Sequence, residues 1–256
     1  PYIAERGNHP QVDSRFPTTY CLRPTLAGLP FLIAEPTGMT SALVPGNALP
    51  TRFRTGFAYP RAFRNNAGEF ALFRRTINLD SVPDSLRLFM TADSRYIFYV
   101  NGEIVGRGPA KGTLRRYTVE EYDIAPLLRT GTNVLAVSVL WYGFNAPFSE
   151  EHSGYPGLLV QGVDDTPLDT PGDWRAIPCD ALSFDRTPYT SNAHLFMGGM
   201  ERFDVAKFPV GWQNTDFDDS DWPLAPLSFP LTAVGGDPEC GIVWNFAPRD
   251  IPALLE

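Results

Sequence analysis

The sequence predicts an all-β sandwich, and three observations carry that reading. Apolar residues alternate with polar ones in short segments of roughly five to nine residues, the signature of strands with one buried face. The 256 residues include 22 glycines and 25 prolines, which demand many turns and leave little room for long helices. No segment holds a convincing helical stripe over three turns. Hydrophobic residues make up 43 % of the chain and charged residues 20 %, enough apolar material for a core and too little charge for a disordered chain. The length suits one large domain or two small ones.

Each element can be justified in turn. Residues 1–50 carry eight prolines and read as an extended, irregular arm that packs on the sandwich, with the apolar run 29–34 as its anchor. Residues 69–79 (EFALFRRTINL) alternate as a strand, and Ser81, Pro83 and Asp84 end it. Residues 86–91 form the next, with Leu86, Leu88 and Met90 on one face. Residues 96–100 and 103–106 flank Asn101-Gly102, a strong hairpin signal because a type I′ turn needs positive φ at both central positions. After a loop over 106–113, residues 114–124 and 133–141 (NVLAVSVLW) are strands, joined by a helical turn near 127–129. A polar loop over 143–156 leads to strands at 157–163 and 174–178. Residues 195–206 supply one or two strands, 216–222 (DFDDSDW) a turn presenting Trp222, and 228–240 a loop. The stretch 241–256 ends without a stop signal, as expected of a cut at a domain junction.

A net charge of −8 repels phosphate backbones and anionic lipid. The longest basic clusters are the pairs Arg74-Arg75 and Arg115-Arg116, and no run of 18 apolar residues occurs, so neither a nucleic acid nor a membrane is expected as partner. The opening PYIAERGNHPQVDS is not a secretory leader. The compartment stays open, cytoplasm ahead of periplasm or exterior. Cys21, Cys179 and Cys240 are odd in number and far apart, which fits buried thiols and neither a disulfide framework nor a zinc site.

Several motifs invite chemistry. GRGPAKGT (106–113) has glycines of a phosphate loop, but its lysine precedes the last glycine and Pro109 removes a backbone donor, so it reads as a plain loop. Asp216, Asp218, Asp219 and Asp221 suggest calcium, yet Asp221 stands where the calcium loop needs glycine, and Asx turns explain the cluster. Glu150 and Glu151 are a candidate acid/base pair, but adjacent loop carboxylates seldom flank one bond, and a polar contact to a ligand suits Glu150 better. His9, His152 and His194 belong to no nucleophile elbow or zinc motif. Trp141-Tyr142 sits where a strand meets a polar loop bearing Asn145 and Glu150, as a sugar face requires: a ring for its C–H groups and paired donors and acceptors for its hydroxyls. The alternative is that Trp141 caps the core.

From residue 92 the sequence becomes specific. ADSRYIFYVNGEIVGRGPAKG (92–112), YDIAPLLRTGTNVLAVSVLWYG (122–143), GYPGLLVQG (154–162), the tryptophan-bearing FDDSDWPLA (217–225) and APRDIPALLE (247–256) stand in an order that resembles the N-terminal β-sandwich of bacterial α-L-rhamnosidases. The resemblance spans about residues 68–256 and implies a jelly-roll, galactose-binding-like sandwich over 51–235. Residues 236–256 would then be an exit segment towards a catalytic helical barrel of the same parent chain, where the catalytic carboxylates of such enzymes lie. The expected role is accessory: holding a terminal, rhamnose-like sugar through Asp93, Arg95, Trp141, Tyr142, Asn145 and Glu150, with calcium as a possible companion ion, or supporting the barrel without a sugar site. Asp93 and Arg95 match positions typical of the family and also read as a pair that fixes the start of the hairpin strand.

Overall fold

A computed structural model describes residues 49–50, 53–60, 67–143, 146–147, 150–151, 153–164, 166–185, 200–231 and 244–252. The arm over 1–50, its anchor at 29–34, Asn145, His9, His152, His194, Cys21 and Cys240 lie outside the described residues, save positions 49 and 50.

Thirteen strands are present among the described residues: β1 (Gly56–Ala58), β2 (Ala67–Leu79), β3 (Arg87–Asp93), β4 (Arg95–Val100), β5 (Glu103–Gly108), β6 (Tyr117–Asp123), β7 (Gly131–Gly143), β8 (Gly157–Gly162), β9 (Arg175–Pro178), β10 (Leu182–Asp185), β11 (Met200–Phe203), β12 (Leu227–Pro230) and β13 (Phe246–Pro248). They form a six-stranded sheet, β12-β1-β8-β3-β6-β13, a five-stranded sheet, β5-β4-β7-β2-β9, and the hairpin β10-β11. Every pairing is antiparallel except β13 on β6. Helical structure among the described residues is confined to 3-10 turns such as Ala125–Leu127, which starts two residues before the expected place with Pro126 in its first turn.

The two large sheets stack. Alternate residues of β3 (Leu88, Met90, Ala92) and β8 (Leu158, Val160) meet those of β2 (Ala71, Phe73), β4 (Tyr96, Phe98, Val100) and β7 (Leu135, Val137, Val139) in one core. Both outer faces are covered as well. Phe53 and Trp244 pack against Phe57 and Phe229 of the six-stranded sheet, and Trp212 and Trp222 pack on the five-stranded one. This double coverage is why every residue of β8 is buried, where a one-sided sheet would alternate.

The hairpin stands as read: Asn101 and Gly102 have φ of 52° and 93°, and Val100 faces Glu103. Two readings change. Residues 114–116 are not strand, because Arg116 N–H closes a turn onto the Thr113 carbonyl at 2.9 Å. Residues 228–230, read as loop, belong to β12, whose Phe229 is buried against Trp244 at 5.0 Å. Strands β1, β10 and β13 had no counterpart in the sequence reading. The turn at 216–222 does bury Trp222, and the Asp218 carboxylate accepts from Ser220 N–H at 2.9 Å as an Asx turn does.

Candidate functional site

The site is built by strand parity. Since Tyr96, Phe98 and Val100 face the core, Arg95, Ile97 and Tyr99 of β4 face outward. The same parity turns Ser138, Leu140 and Tyr142 of β7 outward, beside Phe70 and Leu72 of β2. Over this outer face lies a cavity of about 660 Å³ with an apolar floor that includes Phe70, Leu72, Ile97 and Leu140. Its walls come from residues 108–111, from Glu201 and Trp212, and from Arg249, Ile251 and Pro252.

Arg95 organises one wall. It donates to the Pro109 carbonyl and pairs with the Glu150 carboxylate. Lys111 Nζ lies 3.1 Å from the other Glu150 oxygen. Arg95 also hydrogen-bonds the Tyr142 side chain, whose hydroxyl is held above its ordinary pKa by burial and then by the nearby Glu150 charge. Arg95, Tyr142 and Glu150, chosen from sequence, thus converge although up to 55 residues separate them.

The other expected site residues are placed elsewhere. Trp141 is 0 % exposed and shares its side of β7 with the core residues Val137 and Val139. Stacking on a sugar needs an open ring face, so the core-capping alternative is the one realised. Asp93 is buried where the chain crosses from one sheet to the other, and its Oδ2 accepts from Ser153 N–H at 2.7 Å and Ser153 Oγ at 2.5 Å. It therefore anchors the polar loop and has no surface to offer a ligand. Glu151 accepts from Leu114 N–H at 2.8 Å, a contact that separates its role from that of Glu150.

Sequence reasoning missed Lys111, Glu120 and Arg249. Glu120 is fully buried behind the cavity wall, where it accepts from Ala110 N–H at 2.7 Å, Tyr96 hydroxyl at 3.0 Å and Arg249 at 3.4 Å. Burial raises its pKa from 4.5 to about 7, and the Ala110 amide, the Tyr96 hydroxyl and the Arg249 guanidinium pull it back. The Tyr96 hydroxyl lies 2.9 Å from that of Tyr122, and both are pushed well up in pKa by the same burial. These tyrosines explain the glycine-rich loop: a Cβ on Gly106 would come within 2.6 Å of the Tyr122 hydroxyl, and one on Gly108 within 2.6 Å of the Tyr96 ring. The available signal was a carboxylate at position 120 in phase with the core residue Tyr122 on the inward side of β6.

Among the described residues no group of three His, Cys, Asp or Glu side chains is placed to hold a metal ion. Asp219 of the acidic turn is instead committed to Arg74 at 2.7 Å. These residues do not fit a calcium site, which takes six to eight oxygens.

Comparison with known proteins places the chain. Residues 82–234 match the family model described as the alpha-L-rhamnosidase N-terminal domain. An alpha-L-rhamnosidase of Streptomyces avermitilis is 32 % identical over 151 residues, covering 53 % of this chain and 14 % of that protein. One of Formosa agariphila is 27 % identical over 196 residues, covering 71 % and 19 %. The crystal structure of a GH78 family rhamnosidase of Bacillus sp. GL1 superposes with a TM-score of 0.61 at 27 % identity, over 79 % of this chain and 20 % of that one. The chain spans a fifth or less of the length of these relatives.

Proposed function

The chain belongs to the alpha-L-rhamnosidase N-terminal domain family, and on that premise we propose that its sandwich is a non-catalytic accessory module that holds a terminal rhamnose-like sugar for a parent glycoside hydrolase. The convergence of Arg95, Tyr142 and Glu150 beside the 660 Å³ cavity carries this reading. A sugar pocket combines an apolar surface with a few fixed donors and acceptors. Here Arg95 donates, Glu150 accepts, and Tyr142 supplies a half-buried ring and hydroxyl. The apolar floor suits the C5 methyl group of a 6-deoxy sugar, since a hydroxyl placed there would lose its water without a partner. Glu150 is already engaged by two cationic side chains, which suits an orienting acceptor better than a general acid.

Calorimetry with L-rhamnose tests the proposal. Saturable heat is expected, weaker by about tenfold for L-mannose and for the variants Glu150→Gln and Arg95→Gln. Absence of heat with both sugars overturns it. That result favours the second reading, a module that supports the catalytic barrel, for which the exposed Phe203, Val205 and Val210 offer apolar surface.

A further inference from the structure

A second recess lies at the opposite edge of the five-stranded sheet. Strand β9 pairs with β2 only from Ala71 to Arg74, so the β2 edge loses this partner just where Arg75 and Thr76 come next. Arg74 and Arg175 are register partners, two like charges directly opposite, an arrangement that costs stability unless a counter-charge intervenes. Asp219 provides it, 2.7 Å from Arg74 Nε and 4.0 Å from Arg175 Nε.

The three arginines are not equivalent. Arg74 is buried and saturated: besides Asp219 it donates to the carbonyls of Trp212, Asn214 and Phe217 and lies over the Phe217 ring. It fixes the 212–219 turn. Arg75 is 12 % exposed, and its buried Nε has no hydrogen-bond acceptor among the described residues. Its counter-ion, Asp173, is 79 % exposed and reaches in from solvent. Arg175 is partly open and donates mainly to backbone carbonyls. Together these groups line a recess of about 380 Å³, with three guanidinium groups against two carboxylates in a chain whose net charge is −8.

We propose that this recess is a binding site for a small oxyanion, gripped by Arg75 and Arg175, with Asp173 as the resident counter-charge that the ligand displaces. A carboxylate or phosphate meets a guanidinium with two parallel hydrogen bonds, and an anion in place of Asp173 would take Arg75 at Nη1, the nitrogen Asp173 holds, while Nη2 keeps the Pro167 carbonyl at 3.3 Å. Burial also lowers the Arg75 pKa, so an anion there relieves a desolvation that one exposed aspartate offsets only in part. Two sources share this chemistry, the carboxylate of an acidic sugar and free phosphate. The site is separate from the rhamnose cavity and stands or falls without it.

The test is calorimetry at low salt with three probes: D-galacturonate, inorganic phosphate and the neutral methyl D-galactoside. Saturable binding of either anion is expected, and which one binds identifies the source. Arg175→Gln and Arg75→Gln are expected to weaken it by roughly tenfold, and Asp173→Asn to tighten it by roughly threefold by removing the competitor. Asp173 is exposed, so its variant keeps the test open should Arg75→Gln fail to fold. Arg95→Gln at the other cavity should leave anion affinity unchanged. Silence with both anions, equal binding of the neutral sugar, or an affinity indifferent to Asp173→Asn and Arg175→Gln overturns the proposal.

Discussion

Two carboxylates stand on either side of one loop, and the chain treats them oppositely. Behind residues 108–111, Glu120 is sealed from solvent and held by the Ala110 amide, a tyrosine hydroxyl and a guanidinium. In front of it, Glu150 is held by the largely buried Arg95 and by Lys111, which reaches in from solvent and can give way to a ligand's hydroxyls. The same loop thus has a fixed back and an exchangeable front. The back sets where Pro109 and Lys111 stand, and the front uses them. A buried polar group with several short-range partners specifies a backbone position, whereas a solvent-facing ion pair is worth little in stability and stays free to rearrange.

The largest effect expected from this division lies one strand away, at neighbours with opposite parity. Trp141→Ala removes a fully buried ring and should cost about 4 kcal/mol of unfolding free energy in urea titrations. Tyr142→Ala, on the cavity side, should cost about 1 kcal/mol or less and abolish most of the rhamnose heat. Equal destabilisation by the two would erase the distinction between back and front.

Next comes the pH dependence of the back. Glu120 titrates near 4.5 when unfolded and at about 7 when folded, so between these values the folded state binds more protons than the unfolded one. Its contribution therefore favours the fold below pH 4.5, declines as pH climbs, and is fully lost above pH 7, a change of about 3 kcal/mol across the window. Glu120→Gln keeps the protonated shape without the titration. The stability of the natural chain minus that of the variant should thus fall steadily from pH 4.5 to 7 in parallel denaturation series. A flat difference would mean that Glu120 stays charged, sustained by Arg249.

How far the sequence revealed this arrangement depends on whether the cause was local. Strands β2, β4 and β7 carry strong alternation, and the Asn101-Gly102 turn arises from the φ values those two residues tolerate. Strands β1, β12 and β13 are three or four residues long and owe their state to partners far along the chain, so no period betrays them. Phe246–Pro248, within the stretch expected to lead out of the sandwich, edges the six-stranded sheet beside β6. Parity places Trp141 with Val137 and Val139, in line with the core-capping alternative, while its position at a strand end beside a polar loop left the sugar-facing one open. The pairing of Arg249 with Glu120, 129 residues apart, depends on that long-range strand contact and was not legible.

The smallest effect sharpens the front. Lys111 is 59 % exposed and touches Glu150 from the solvent side, while Arg95 holds the same carboxylate from within the wall. If Arg95 does the positioning, Lys111→Ala should leave stability unchanged within about 0.5 kcal/mol and weaken rhamnose binding by less than about threefold. What remains of its effect should be Coulombic, and so should shrink as salt rises from about 0.01 to 0.15 M, where screening shortens from roughly 30 to 8 Å. A loss as large as that of Arg95→Gln, insensitive to salt, would instead make Lys111 a direct ligand of the sugar and move the centre of the site outward along the loop.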